Sequence, residues 1–86
     1  MSRLKAVYFA WVRERIGKSE EEIAPPTDIV TVGELIGWLS SQGDNYAHAF
    51  ERATVIRAAL DRSHARHDAV IAGAREIAFF PPMTGG

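Results

Sequence analysis

A chain of 86 residues with a formal net charge of −1 is sized for one domain and has no electrostatic footprint for nucleic acid or an anionic membrane surface. It holds no cysteine, so disulfides, thiolate metal sites and a cysteine nucleophile are excluded, and sulfur chemistry would need an atom outside the encoded side chains. Apolar residues make up 47% and charged residues 24%, a composition that excludes disorder and fits a packed core. Met1-Ser2-Arg3-Leu4-Lys5 leads into no apolar signal core and no run reaches membrane-spanning length, so a soluble cytoplasmic domain is expected.

Leu4 to Ala10 is rich in β-formers, with Ala6, Tyr8 and Ala10 alternating against Lys5, Val7 and Phe9, and reads as a first strand. Val12 to Ile16 has more helical spacing but stops at Gly17, which suggests a short turn or connector. Ser19 to Ala24 reads as a second strand, closed by Pro25-Pro26, neither of which can donate to a ladder. Its Glu20-Glu21-Glu22 run fits a solvated edge.

Thr31-Val32-Gly33-Glu34 matches a capping box, and Val32, Leu35, Ile36 and Leu39 behind it fall on one helical face. Gly43 is the expected stop, and Gly37 within the helix suggests close packing on a sheet. Asp44 or Asn45 can cap a shorter helix through Tyr46, Ala49 and Phe50. Thr54 to Leu60 reads as a third strand, Arg62-Ser63 as a turn, and His64 to Gly73 as loop with at most a short strand. Glu76 to Phe80 is the last strand, ended by Pro81-Pro82. The order predicts an α+β architecture: a mixed sheet with one main helix across one face and a short second helix. Residues 1–86 then form one domain, with 81–86 as an extended tail.

That tail, Pro81-Pro82-Met83-Thr84-Gly85-Gly86, is the segment with chemical potential. The prolines stiffen its exit, and two residues without Cβ atoms let its end enter a channel that any side chain would block. A carboxylate at Gly86 is inert until joined to AMP as a mixed anhydride, after which a persulfide or an amine can attack the carbonyl. The bland alternative is a frayed terminus.

Ile77-Ala78-Phe79-Phe80-Pro81-Pro82-Met83-Thr84-Gly85-Gly86 closely resembles the C-terminus of the small subunits of molybdopterin synthases, which belong to the ubiquitin-like β-grasp superfamily. Tyr8 to Glu14 is similar to that family's first strand and following turn. The resemblance implies that a ubiquitin-activating-like adenylyltransferase, using ATP and magnesium, adenylates Gly86. A sulfur donor protein then converts it to a thiocarboxylate. The charged tail enters the large synthase subunit, in a heterotetramer, and donates sulfur to cyclic pyranopterin monophosphate. By residue matching, Gly86 carries the sulfur and Gly85 with Thr84 permits insertion. Phe79, Phe80, Pro81, Pro82, Met83 and Arg13 contact the partner. The domain itself is expected to bind no cofactor or metal and to be no enzyme alone. A difference from the family is Ala72-Gly73-Ala74-Arg75-Glu76, where an acidic, glycine-containing turn is common.

Adjacent strand residues point to opposite faces, so one of Phe79 and Phe80 is expected in the core and the other is a candidate docking anchor. His64 and His67 have chelating spacing without a third ligand, and His48 reads as a surface residue. Trp38 is expected to pack, Trp11 to pack or to sit at an interface. Two readings compete with the synthase: a ubiquitin-like modifier conjugated through Gly86, and a sulfur carrier for thiamine or tRNA thiolation. A plain binding module without tail chemistry is a third.

Overall fold

The alternation of Leu4, Ala6 and Tyr8 with Lys5 and Val7 is realised as strand β1, Leu4–Tyr8, in a computed structural model that describes residues 3–82. The first three side chains are buried and face the helices. β1 pairs antiparallel with β2 (Glu20–Ile23) and parallel with β5 (Glu76–Phe80). β5 also pairs antiparallel with β3 (Arg57–Leu60), which forms a hairpin with β4 (Ser63–Ala65). The sheet order is β2-β1-β5-β3-β4, so the C-terminal strand lies at its centre.

Three helices cover one face: α1 (Ala10–Ile16), α2 (Val32–Ser40) and α3 (Asp44–Ala49). Val32, Leu35, Ile36 and Leu39 of α2 are each no more than 1% exposed, and pack with Ile77 and Phe79 of β5 in one core. The mixed sheet and its main helix agree with the expected α+β architecture. The capping box is present: the Glu34 amide donates to Thr31 Oγ1 at 3.2 Å, and the Thr31 amide donates to Glu34 Oε1 at 3.1 Å.

Several local expectations are corrected. The stretch read as a connector is the helix α1, with Val12 and Ile16 buried and Gly17 ending it at φ 90°. Its helical spacing was the true signal, and tertiary burial lets so short a helix persist. β1 therefore ends at Tyr8, and Ala10 opens the helix at φ 53°. Gly43 does not stop α2; that helix ends at Ser40, where Ser41 Oγ and Gln42 Nε2 donate to the Trp38 carbonyl. Gly43 is instead the residue before α3, and Asn45 is inside it, donating through Nδ2 to the Ile16 carbonyl at 2.8 Å. Gly37 is exposed with open space around it and supports no close packing. Gly33 has that role: a Cβ there would meet the His67 carbonyl oxygen at 3.3 Å. Residues Ala53–Val55 form a 3-10 turn, so β3 starts later than expected. The β3–β4 turn is made by Asp61 and Arg62, both at positive φ, with Ser63 already in β4.

The weakly patterned stretch after His64 caps the main helix. The Val32 and Gly33 amides, which have no partner within α2, donate to the carbonyls of Ala69 and His67 at 3.0 and 2.8 Å. Asp61 Oδ1 ties the hairpin turn to the start of β5 by accepting from the Arg75 and Glu76 amides.

Glu21 is the one member of the acidic run that is more than solvated edge. Its side chain lies on the helix side of β2, where Oε2 accepts from the Tyr8 hydroxyl at 2.8 Å and the Tyr46 hydroxyl at 2.6 Å. Lys18 Nζ reaches Oε1 at 3.0 Å. Burial would raise the Glu21 carboxyl, but hydrogen bonds from Tyr46, Tyr8 and Lys18 outweigh it and hold the group below its ordinary value. Burial first, then the bond to Glu21, pushes the Tyr8 phenol far above the ordinary tyrosine range.

A depressed folded value means that Glu21 adds stability above its unfolded value, lost as pH falls through the folded one. Glu21→Gln is expected to cost about 1–2 kcal/mol near pH 7 in urea unfolding. The gap from the native chain should narrow as pH drops below the ordinary 4.5. A gap unchanged in strong acid would assign the network no ionic component.

Candidate functional site

The candidate site begins where β5 leaves the sheet. Because β5 pairs on both sides, its backbone is held from Glu76 to Phe80, and the Phe9 amide adds a further bond to the Phe79 carbonyl at 3.1 Å. Pro81 and Pro82 follow, half-buried, and lack the amides that would prolong either ladder. The chain is thus released from the middle of the sheet at a fixed point.

Phe79 and Phe80 divide as strand geometry requires. Phe79 is fully buried, with its ring 6.2 Å from Tyr8 and 5.3 Å, edge-on, from Phe50. It is a core residue, and direct partner contact by its side chain is overturned by that burial. Phe80 lies on the opposite, helix-free face, half-exposed, opposite Arg57 and 5.6 Å from the edge-on ring of His64.

The same face carries Val7, Ala78 and Ala59 in register across β1, β5 and β3. Phe9, 47% exposed, continues the β1 alternation beside them. This short apolar strip, leading from Phe9 to Phe80 at the root of the tail, was not singled out from sequence. Its signal was the second phase of the Leu4-to-Ala10 alternation, in which Val7 and Phe9 are apolar where an exposed face would normally be polar.

Arg13 is exposed on α1 and forms no ion pair among the described residues. Its neighbour Arg15 is committed instead, lying 4.4 Å over the Trp11 ring and 3.6 Å from Glu51. Trp11 and Trp38 are both half-buried against the core. His64 and His67 do separate work, His64 at Phe80 and His67 donating through Nε2 to the Ile56 carbonyl at 2.7 Å. Met83, Thr84, Gly85 and Gly86 lie outside the described residues.

A family model described as the ThiS family matches residues 6–86. The chain belongs to the ThiS family. Over 83 residues it is 36% identical to the molybdopterin synthase sulfur carrier subunit of Escherichia coli, spanning 96% of this chain and 99% of that one. The protein of the same description from Haemophilus influenzae is 32% identical with the same coverage. Among solved structures, small archaeal modifier protein 1 of Haloferax volcanii superposes with a TM-score of 0.73 at 21% identity, over 96% of this chain and all of that one. A Pyrococcus furiosus protein described as a molybdopterin converting factor subunit 1 gives 0.75 at 22% identity, with 96% and 100% coverage. This ThiS-family chain has the ubiquitin-like β-grasp fold that its C-terminal residues led one to expect.

The split between the two phenylalanines yields opposite phenotypes. Phe79→Ala should cost about 3–5 kcal/mol of folding stability through the lost core volume. Phe80→Ala should leave the melting temperature within a few degrees and weaken partner binding by about tenfold or more. Equal loss of stability in the two variants, read by thermal unfolding, would overturn the assignment.

Proposed function

We propose that this chain is the sulfur-carrier subunit of a molybdopterin synthase, with Gly86 as the carrying residue. The observation that supports it best is the release of the chain at Pro81-Pro82 from a central strand that ends in Phe79-Phe80, four residues before the end of a sequence closing in diglycine, in a chain 36% identical to a carrier of that description. A rigid root and a slim end suit a group that must be offered to other proteins' active sites.

The chemistry runs through the Gly86 carboxylate. It attacks the α-phosphorus of magnesium-bound ATP, giving an acyl adenylate and releasing pyrophosphate. A donor persulfide attacks the carbonyl and AMP leaves, forming an acyl disulfide. A thiol then reduces that bond, yielding the thiocarboxylate and a disulfide. The thiocarboxylate sulfur is the nucleophile passed to cyclic pyranopterin monophosphate in the large subunit. The chain supplies no catalytic side chain to these steps; it positions one atom, while the adenylyltransferase and the large subunit supply the rest. A heterotetramer in the cytoplasm follows from the family resemblance. Phe80 and the apolar strip beside it are the docking surface, Arg13 on α1 is a separate partner contact, and Gly85, Thr84 and Met83 thread the channel.

Modifier activity is the second reading, favoured by the shared fold of small archaeal modifier protein 1. The two share activation and differ in the group that attacks the adenylate.

Intact mass after incubation with the activating enzyme, ATP and a sulfur donor tests the carrier chemistry. The expected result is a gain equal to exchanging one oxygen for sulfur, abolished by deleting Gly86. Molybdopterin formation on adding the large subunit and the pyranopterin completes the assignment. Unchanged mass beside an activating enzyme competent on another carrier would move the assignment to the modifier or to a plain binding module; tryptic remnants running from Glu76 to Gly86 on lysines of many proteins would move it to the modifier.

A further inference from the structure

The end of the β3–β4 hairpin away from its turn holds a feature that the tail chemistry leaves unused. The ladder runs from Leu60–Ser63 to Ala58–Ala65 and stops there. Beyond it, the hydrogen bond recorded between the two branches among the described residues is His67 Nε2 to the Ile56 carbonyl. The fork between the branches is a cavity of about 460 Å³, lined by Arg57, His64, Arg66 and His67. Thr54 adds a hydroxyl, and Pro82 forms the wall at the root of the tail.

We propose that this fork is a binding site for a small organic phosphate monoester. Two guanidiniums and two imidazoles line it, and among the described residues no carboxylate does. Arg57 forms no ion pair among the described residues, and Arg66 has only Asp68 at 3.9 Å, with both side chains exposed. A solvated contact of that length competes weakly with an incoming anion. The concentration of positive charge is local, because the whole chain carries −1 and Glu20, Glu21 and Glu22 lie on the opposite edge strand.

Guanidinium geometry matches phosphate oxygens two at a time, and two guanidiniums at one cavity suit a doubly charged group. The Ile56 carbonyl can only accept, so His67 donates to it through Nε2, and that bond fixes the ring at the mouth of the fork. The volume lies in the range of small-molecule sites and exceeds what one phosphate fills. Val55, Ala58 and Ala65 give part of the lining an apolar character, suited to the carbon skeleton that bears the phosphate. This inference rests on the fork alone and survives if the carrier reading fails.

The test is a titration of the full-length chain, followed by amide NMR at constant ionic strength. The probes are ribose 5-phosphate, AMP, inorganic phosphate, adenosine and a short polyglutamate peptide. Saturable shifts at Ala58, Ala65 and His67 with both monoesters, a weaker response to inorganic phosphate and none to adenosine are expected. Arg57→Gln and Arg66→Gln should each weaken binding by about tenfold or more. Arg75→Gln, at the other end of β5, should leave it unchanged. Because the monoester series is read on the native chain, it stands whether or not a variant folds. Shifts that grow without saturation, equal weakening by Arg75→Gln, or tighter binding of polyglutamate than of either monoester would overturn the proposal, the last in favour of an acidic protein segment.

Discussion

The parallel pairing of β1 with β5 is the constraint on which the rest of the molecule depends. Strands adjacent in space but joined through the whole intervening chain require everything between them to cross over and pack. Helices α1, α2 and α3 do so on one face, burying Leu4, Ala6 and Tyr8 against the same core as Ile77 and Phe79. The reward is a last strand with neighbours on both sides, so the segment after Phe80 leaves from an anchored base rather than an edge. An edge strand could peel, and a tail attached to one would have a variable reach.

Secondary ties hold that frame in register. Asp61 bonds the hairpin turn to the first amides of β5, and residues 67–71 supply carbonyls to α2 and a backbone partner to Val30. On the other side, Glu21 joins β2 to β1 and α3 through two phenols. The sheet's remaining face is left without helices. Its apolar strip is continuous with Phe80, at the root of the tail. The cationic fork adjoins this face through Arg57 and His64, giving the C-terminal end of the sheet two chemically different surfaces.

Legibility varied with how local the cause was. The capping box was readable because Thr31 and Glu34 satisfy each other within one helical turn. The last strand and its proline stop were readable for the same reason. Glu21 was misread as merely solvated, because nothing in Glu20-Glu21-Glu22 marks which of three carboxylates meets Tyr8 and Tyr46. Gly37 and Gly33 were confused likewise: both lie in one helix, and only the passage of the His67 backbone distinguishes them. The helix α1 was underrated because its seven residues are too few to be stable without the burial of Val12 and Ile16.

By itself, the sequence determined four of the five strands with α2 and α3 in their order, the family to which the C-terminal residues point, and the absence of any cysteine for sulfur chemistry. These depend on periodicity, capping and residue identity, which act over a few positions. Only the tertiary structure decided that Phe79 is core and Phe80 is surface, that Val7 and Phe9 join Phe80 in one strip, and that Arg57, His64, Arg66 and His67 share one cavity. Strand geometry states that adjacent side chains diverge, but not which side the helices will cover. That choice belongs to the crossover packing, where residues far apart in the chain compete for one buried face.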